Sequence, residues 1–117
     1  MEWPAEDQYS FIKRLGRAPL GIYYDLGNAT SQGYNPAEEI RVFGDLLVGL
    51  HIKDRKVGGG SVFLGEGDTD FVGSFRALKE IGYRGPMILE TPRGSDPVIT
   101  ARKHLSFVRQ AMANVGS

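Results

Sequence analysis

The sequence contains no cysteine, which excludes a disulfide-stapled scaffold, a cysteine-ligated zinc site and a thiol nucleophile. It also carries no net charge, because 14 basic and 14 acidic side chains cancel. This balance argues against nonspecific binding to nucleic-acid backbones or anionic membranes. No apolar run approaches the roughly 20 residues of a membrane span, and the start lacks the basic and apolar regions of a signal peptide. We therefore expect a cytoplasmic protein.

Three short apolar runs lie at residues 20–24, 46–52 and 87–89 of the 117-residue chain. They are nearly continuous rather than alternating, as is typical of parallel strands covered on both faces. The length suits one small domain. The runs therefore predict the strands of a single α/β domain.

Helix signals follow each predicted strand. Asn35 precedes a proline and two acids, Asp70 opens a segment that Gly82 closes, and Asp96 precedes another proline. A further helix is expected before the first strand, from about Ala5 to Leu15. The last helix is predicted to bury an apolar face consisting of Ile99, Leu105, Val108 and Met112. Strict alternation of strands and helices indicates parallel strands with right-handed crossovers.

The spacing of three polar residues near the predicted strand ends indicates a barrel. His51 lies 26 residues after Asp25, and Glu90 lies 39 residues after His51. An eight-unit barrel of about 250 residues uses about 31 residues per βα unit. We therefore predict that residues 1–117 form a single partial (β/α)8 TIM-barrel domain, with about three C-terminal βα units and a leading helix.

The same three residues are the candidate site. Individually, Asp25 could organise a turn, His51 could be a core histidine, and Glu90 could pair with Arg93. Together they converge on the carboxyl edge of a parallel sheet, where ligands and catalytic groups gather. Two carboxylates and an imidazole suit Mn²⁺, Mg²⁺, Co²⁺ or Zn²⁺. The sequence therefore predicts a divalent metal site.

Four motifs, in order, resemble the C-terminal portion of the sugar phosphate isomerase/epimerase family of xylose isomerase-like TIM barrels. The nearest branch is that of L-ribulose-5-phosphate 3-epimerase and hexulose-6-phosphate isomerase. The motifs are YDLGNA at 24–29, HIKD at 51–54, LGEGDTDF at 64–71 and GYRGPMILE at 82–90.

The resemblance implies a divalent metal held by Glu, Asp, His and Glu from the last four strands of a barrel. Asp25, His51 and Glu90 match the last three of these ligands, and the first would lie upstream of Met1. The resemblance also implies that two glutamates transfer protons beside a carbonyl, while the metal stabilises the enediolate. Glu90 is the one of this pair that the chain carries, so we expect it to be catalytic.

Four further side chains are candidate contacts to a sugar or sugar-phosphate substrate. Lys53, Asp54 and Arg55 follow His51, where a cation could meet a phosphate or hydroxyl. A solvated, charge-balanced loop is the alternative for them. Asn28 could bind a sugar hydroxyl or serve as a left-handed turn residue.

Two interpretations follow for the whole chain. It is the metal-binding C-terminal part of a sugar or sugar-phosphate isomerase or epimerase, or it is an inactive partial barrel that self-associates. Open strand edges tend to be paired or covered, so a homo-oligomer, in the simplest case a dimer, is expected. A DNA-repair endonuclease of the same superfamily is disfavoured, because two histidines are too few for its zinc ions and the charge is neutral. We therefore expect neither nucleic acid nor a membrane as a partner.

Overall fold

The computed structural model describes residues 4–14 and 21–115. The helices are α1 (Ala5–Arg14), α2 (Leu26–Ser31), α3 (Pro36–Phe43), α4 (Phe71–Ile81) and α5 (Pro97–Ala113), with a 3-10 turn at Gly44–Leu46. The strands are β1 (Ile22–Asp25), β2 (Leu47–Ile52), β3 (Asp54–Arg55), β4 (Ser61–Val62) and β5 (Met87–Leu89). The predicted positions Leu15 and Leu20 lie outside the described residues. In the described part of the chain, no helix combines the length and the apolarity that crossing a bilayer requires.

The main sheet has the order β1-β2-β5, and both pairings are parallel. β2 is central, so each neighbour pairs with it on one side. A separate antiparallel pair, β3 with β4, follows β2 along the chain. The predicted α/β architecture, a parallel partial barrel with a leading helix, is confirmed.

The helix boundaries lie where the capping residues predict them. The Asp70 carboxylate accepts a hydrogen bond from the Gly73 amide at the start of α4. Gly82 ends α4 in the left-handed conformation, with φ of 72°. Asp96 accepts hydrogen bonds from two amides of the first turn of α5, and the Asn35 side chain accepts one from the Glu38 amide of α3. These side chains satisfy amides that the first helical turn leaves without partners.

The core lies between the main sheet and helices α2 to α4. The largest fully buried apolar side chains are Leu26, Ile40, Phe43, Leu50 and Ile52. At about 25 cal/mol per Å² of apolar surface, burial of each such side chain contributes roughly 1.5–3 kcal/mol. This packing holds the sheet against the helices.

Glu39 of α3 ties three elements together at the edge of this core. Its Oε1 accepts a hydrogen bond from the Tyr24 hydroxyl oxygen at 2.5 Å. Its Oε2 accepts one from the Ala5 amide nitrogen at 3.3 Å. Burial is the main reason why the pKa of Tyr24 is raised, and the Glu39 carboxylate adds to the effect. The phenol therefore stays protonated and donates, which joins β1 to α3.

Helix α2 and the strands β3 and β4 were not predicted. α2 begins directly after β1, and Asn28 lies inside it, so the left-handed turn proposed for Asn28 is wrong. Among the described residues, only glycines have positive φ. The β3–β4 pair is built from two residues per strand, which is too short for a hydrophobic pattern to reveal.

The prediction of which face of α5 is buried was only partly right. Val108 is buried as predicted, but Ile99, Leu105 and Met112 are 51%, 40% and 45% exposed. The face that packs inward carries His104, Val108 and Ala111, and the His104 ring packs edge-on against Phe63 in the loop before α4. α5 therefore carries further apolar side chains that the described residues cover only in part.

His104 makes the stability of the fold depend on pH. The residue is 4% exposed, and its Nε2 has no hydrogen-bond partner. Burial lowers the pKa of His104, and the backbone of Pro92 and the charge of Glu66 oppose this without outweighing it. Because the unfolded chain then binds the proton more tightly than the folded one, stability is lost as pH falls below about 6.5.

We predict that His104→Leu weakens this loss. Urea unfolding of both chains at pH 7.5 and 5.5 measures it, and the wild type is expected to lose more free energy of unfolding between the two pH values. The substitution removes the imidazole and keeps an apolar side chain in the buried position. An equal pH dependence in the two chains would contradict the prediction.

Candidate functional site

The three predicted ligands lie side by side at the carboxyl edge of the main sheet. The strand register pairs Asp25 with His51, and His51 with Ile88. Glu90 follows β5, and its amide donates to the Ile52 carbonyl at 3.0 Å. The parallel pairing therefore carries all three side chains to one place.

The distances within this group are short. Nδ1 of His51 lies 2.5 Å from Oε2 of Glu90 and 3.8 Å from Oδ2 of Asp25. One ligand atom from each of the three residues lies within 4.8 Å of the others. The structure thus brings together residues that are 65 positions apart in sequence.

Asp25 has two functions at once. Its Oδ1 accepts the Asn28 amide proton at 2.8 Å and caps α2, while its Oδ2 faces His51. The turn-organising role and the place in the candidate site therefore coexist. The cap fixes the carboxylate, so Oδ2 is held toward the cluster.

Lys53 supplies the positive charge of the site. Its Nζ lies 2.7 Å from Oε1 of Glu90 and 3.7 Å from Oδ2 of Asp25, and its side chain is 14% exposed. The hydrogen bond from Lys53 is the main reason why the pKa of Glu90 is lowered, and His51 adds to the effect. Glu90 is therefore ionised at neutral pH.

Asn28 and Arg55 contact each other beside the cluster. A guanidinium NH of Arg55 donates to Oδ1 of Asn28 at 2.9 Å, and its Nε donates to the Gly59 carbonyl at 2.9 Å. Both side chains are partly buried. Their predicted contact with substrate stays a prediction, and the structure adds that each already has a protein partner.

Asp54 occupies a different place from the one expected. It is 1% exposed, and its Oδ2 accepts the amide protons of Gly65 and Gly67, while Oδ1 accepts that of Thr69. A Cβ on Gly67 would collide with this carboxylate. Since both oxygens are used inside the loop, the geometry favours a structural role over the predicted substrate contact.

Tyr23 is a neighbour of the site that the sequence analysis missed. Its ring packs edge-on against His51, with centroids 4.8 Å apart, and the same ring covers Gly49. Tyr23 stands two residues before Asp25, and residues two apart on a strand share a face. That spacing is the signal which could have revealed it.

The donor set fits a divalent cation. Carboxylate oxygens and an imidazole nitrogen are ligands that Mn²⁺, Mg²⁺, Co²⁺ and Zn²⁺ accept in proteins. Three protein ligands leave coordination positions for water or substrate. Asp25 and Glu90 also offer a second oxygen each, although one of these caps α2 and the other contacts Lys53.

Comparison with known proteins agrees with the resemblance found in the sequence motifs. The model of the family described as "Xylose isomerase-like TIM barrel" matches residues 4–111. The L-ribulose-5-phosphate 3-epimerase UlaE of Escherichia coli O1:K1 is 33% identical over 125 aligned positions, which cover 99% of this chain and 43% of the relative.

Two solved structures have the same fold. A xylose isomerase domain protein from Planctomyces limnophilus has a TM-score of 0.75 at 32% identity, and the match covers 97% of this chain and 46% of that one. The 3-keto-D-glucoside 4-epimerase YcjR from E. coli has a TM-score of 0.74 at 25% identity, covering 91% and 39%. The chain thus spans less than half the length of these proteins.

We predict that Asp54→Ala destabilises the fold by about 3 kcal/mol, because three loop amides lose a buried carboxylate acceptor. Asp68→Ala in the same loop is the matched control. Its exposed carboxylate accepts one hydrogen bond, from the Val57 amide. The loss of unfolding free energy should therefore stay below about 1 kcal/mol. Urea unfolding measures both, and equal costs would contradict a structural role for Asp54.

Proposed function

The chain belongs to the xylose isomerase-like TIM barrel family, and we propose that it is the metal-binding C-terminal part of a sugar or sugar-phosphate isomerase or epimerase. The observation that carries this proposal is the convergence of Asp25, His51 and Glu90 at the carboxyl edge of the sheet. The relative named L-ribulose-5-phosphate 3-epimerase supports the substrate class. The chain covers 43% of that relative, so the activity of the relative is carried over to this chain only as a proposal.

Asp25, His51 and Glu90 would hold the cation. Once bound, a divalent metal acts as a Lewis acid that stabilises negative charge on a substrate oxygen. Glu90 is also the proposed proton acceptor and donor beside the sugar carbonyl, and its ionised state at neutral pH suits the acceptor role. His51 and Lys53 contact opposite oxygens of the Glu90 carboxylate and so orient it.

The proposed substrate contacts lie next to these ligands. Asn28 and Arg55 offer amide and guanidinium hydrogens, and Lys53 offers an ammonium group at the site itself. Such donors suit sugar hydroxyls, and the two cations suit a phosphate. The cytoplasm, where sugar phosphates are metabolised, is the proposed location.

Self-association is the second proposed property, because apolar surface stays open at the β5 side of the sheet. A groove of about 410 Å³ between β5 and α5 is lined by Leu89, Pro97, Val98, Ala101 and Leu105, among others. Val98 is 62% exposed. β1 and β5 are edge strands within the described residues, and unpaired edges favour association. We therefore propose a homodimer that covers this groove.

The metal site is tested by calorimetric titration of Mn²⁺ into three chains at pH 7. We expect about one ion per wild-type chain, and affinity weakened more than about tenfold in Glu90→Gln, since loss of an outer-shell partner alone costs that much. Glu80→Gln is the matched control, because Glu80 is likewise exposed and paired with a cation, Arg41. It should bind like the wild type.

His51→Ala extends the same titration to the central ligand and should also abolish tight binding. Equal affinities of wild type, Glu90→Gln and His51→Ala would sink the proposed site. Epimerisation of sugar phosphates by the loaded wild type is the activity to screen once binding is established.

The proposed dimer is tested by light scattering after size exclusion at tens of micromolar. We expect the mass of two chains for wild type and of one chain for Leu105→Glu, because a buried carboxylate in the groove is costly. Val57→Glu is the control, since Val57 is 63% exposed on the β3–β4 connection and does not line the groove. A monomeric wild type would overturn the proposal.

A further inference from the structure

Three cationic side chains follow His51 closely, and one of them reaches the candidate ligands. Arg55 is engaged by Asn28 and Gly59, and Lys56 is exposed. Lys53 instead places its ammonium 2.7 Å from Glu90 and 3.7 Å from Asp25. It therefore touches both carboxylates that the metal would need.

The position of Lys53 is enforced by packing as well as by charge. Its side chain is 14% exposed, and lysine side chains with so little exposure are usually paired with carboxylates. Gly27 of α2 lies against it: a Cβ at Gly27 would stand 2.7 Å from Cγ and 2.8 Å from the carbonyl oxygen of Lys53. The absence of a side chain at Gly27 thus makes room for the lysine stem beside the site.

A divalent cation and this ammonium would compete for the same two carboxylates. Oδ2 of Asp25 faces both His51 and Lys53, and the two oxygens of Glu90 are divided between the same pair. An ion bound by the three ligands would stand within a few ångströms of the ammonium, where like charges repel strongly. The Lys53 ammonium would therefore have to move away before the ion could bind without this repulsion.

We propose that Lys53 is a built-in counter-ion of the site, which neutralises Asp25 and Glu90 and competes with the divalent metal for them. This rests on the proposed metal site at Asp25, His51 and Glu90. Metal affinity is then set by the lysine as well as by the ligands. Removing the charge tightens metal binding, although Lys53 is not itself a ligand.

The test is a calorimetric Mn²⁺ titration of wild type, Lys53→Met and Lys56→Met at the same pH and salt. Methionine keeps the unbranched apolar stem against Gly27 and removes the charge. We expect Lys53→Met to bind Mn²⁺ about tenfold more tightly than wild type, given the repulsion between neighbouring cations. Lys56→Met, which loses an exposed charge from the following segment, should change affinity far less.

Lys53→Arg and Lys53→Gln complete the series, with folding checked by urea unfolding in each case. Arginine keeps the charge and should bind like the wild type, whereas glutamine should bind more tightly and replaces methionine if that variant fails to fold. Equal or weaker Mn²⁺ binding by the neutral variants, with the wild type still binding, would overturn the role of Lys53 alone. No binding by any chain would overturn the metal site and, with it, this role.

Discussion

The parallel hydrogen bonding of β2 with its two neighbours fixes the position of every candidate ligand. Asp25 pairs with His51, His51 pairs with Ile88, and the Glu90 amide continues the β5 ladder on Ile52. A slip of one residue on either side would turn a ligand to the opposite face of the sheet. The apolar residues between the polar ones prevent that slip, because Leu50 and Ile52 must face the helices.

The fold could be predicted from the sequence where one signal dominates locally. Asp70 and Gly82 bound α4 because a carboxylate cap and a left-handed glycine act within a few residues. The convergence of Asp25, His51 and Glu90 also followed from the strands, since the carboxyl ends of parallel strands share an edge.

The remaining features depend on contacts between distant segments, which no local pattern encodes. Asp54 is the last residue of the HIKD motif that begins at His51, yet its carboxylate turns inward because the amides of a loop more than ten residues away converge on it. The face of α5 was partly misassigned for a related reason. Apolar residues lie on two sides of that helix, and tertiary packing alone decides that His104 and Val108 face inward while Leu105 faces outward.

The integrity of the site and the closure of a barrel are separate physical requirements. All three candidate ligands come from strands that are hydrogen-bonded to one another within this chain, so their spacing does not depend on what covers the outer edges of β1 and β5. Exclusion of water does depend on that cover, because Glu90 stands at the β5 edge with a side chain 46% exposed. Electrostatic stabilisation of a reacting oxygen is much stronger in a water-excluded site. The proposed ion binding would therefore draw on the geometry of the three strands, whereas the proposed proton transfer would require the edges to be closed as well.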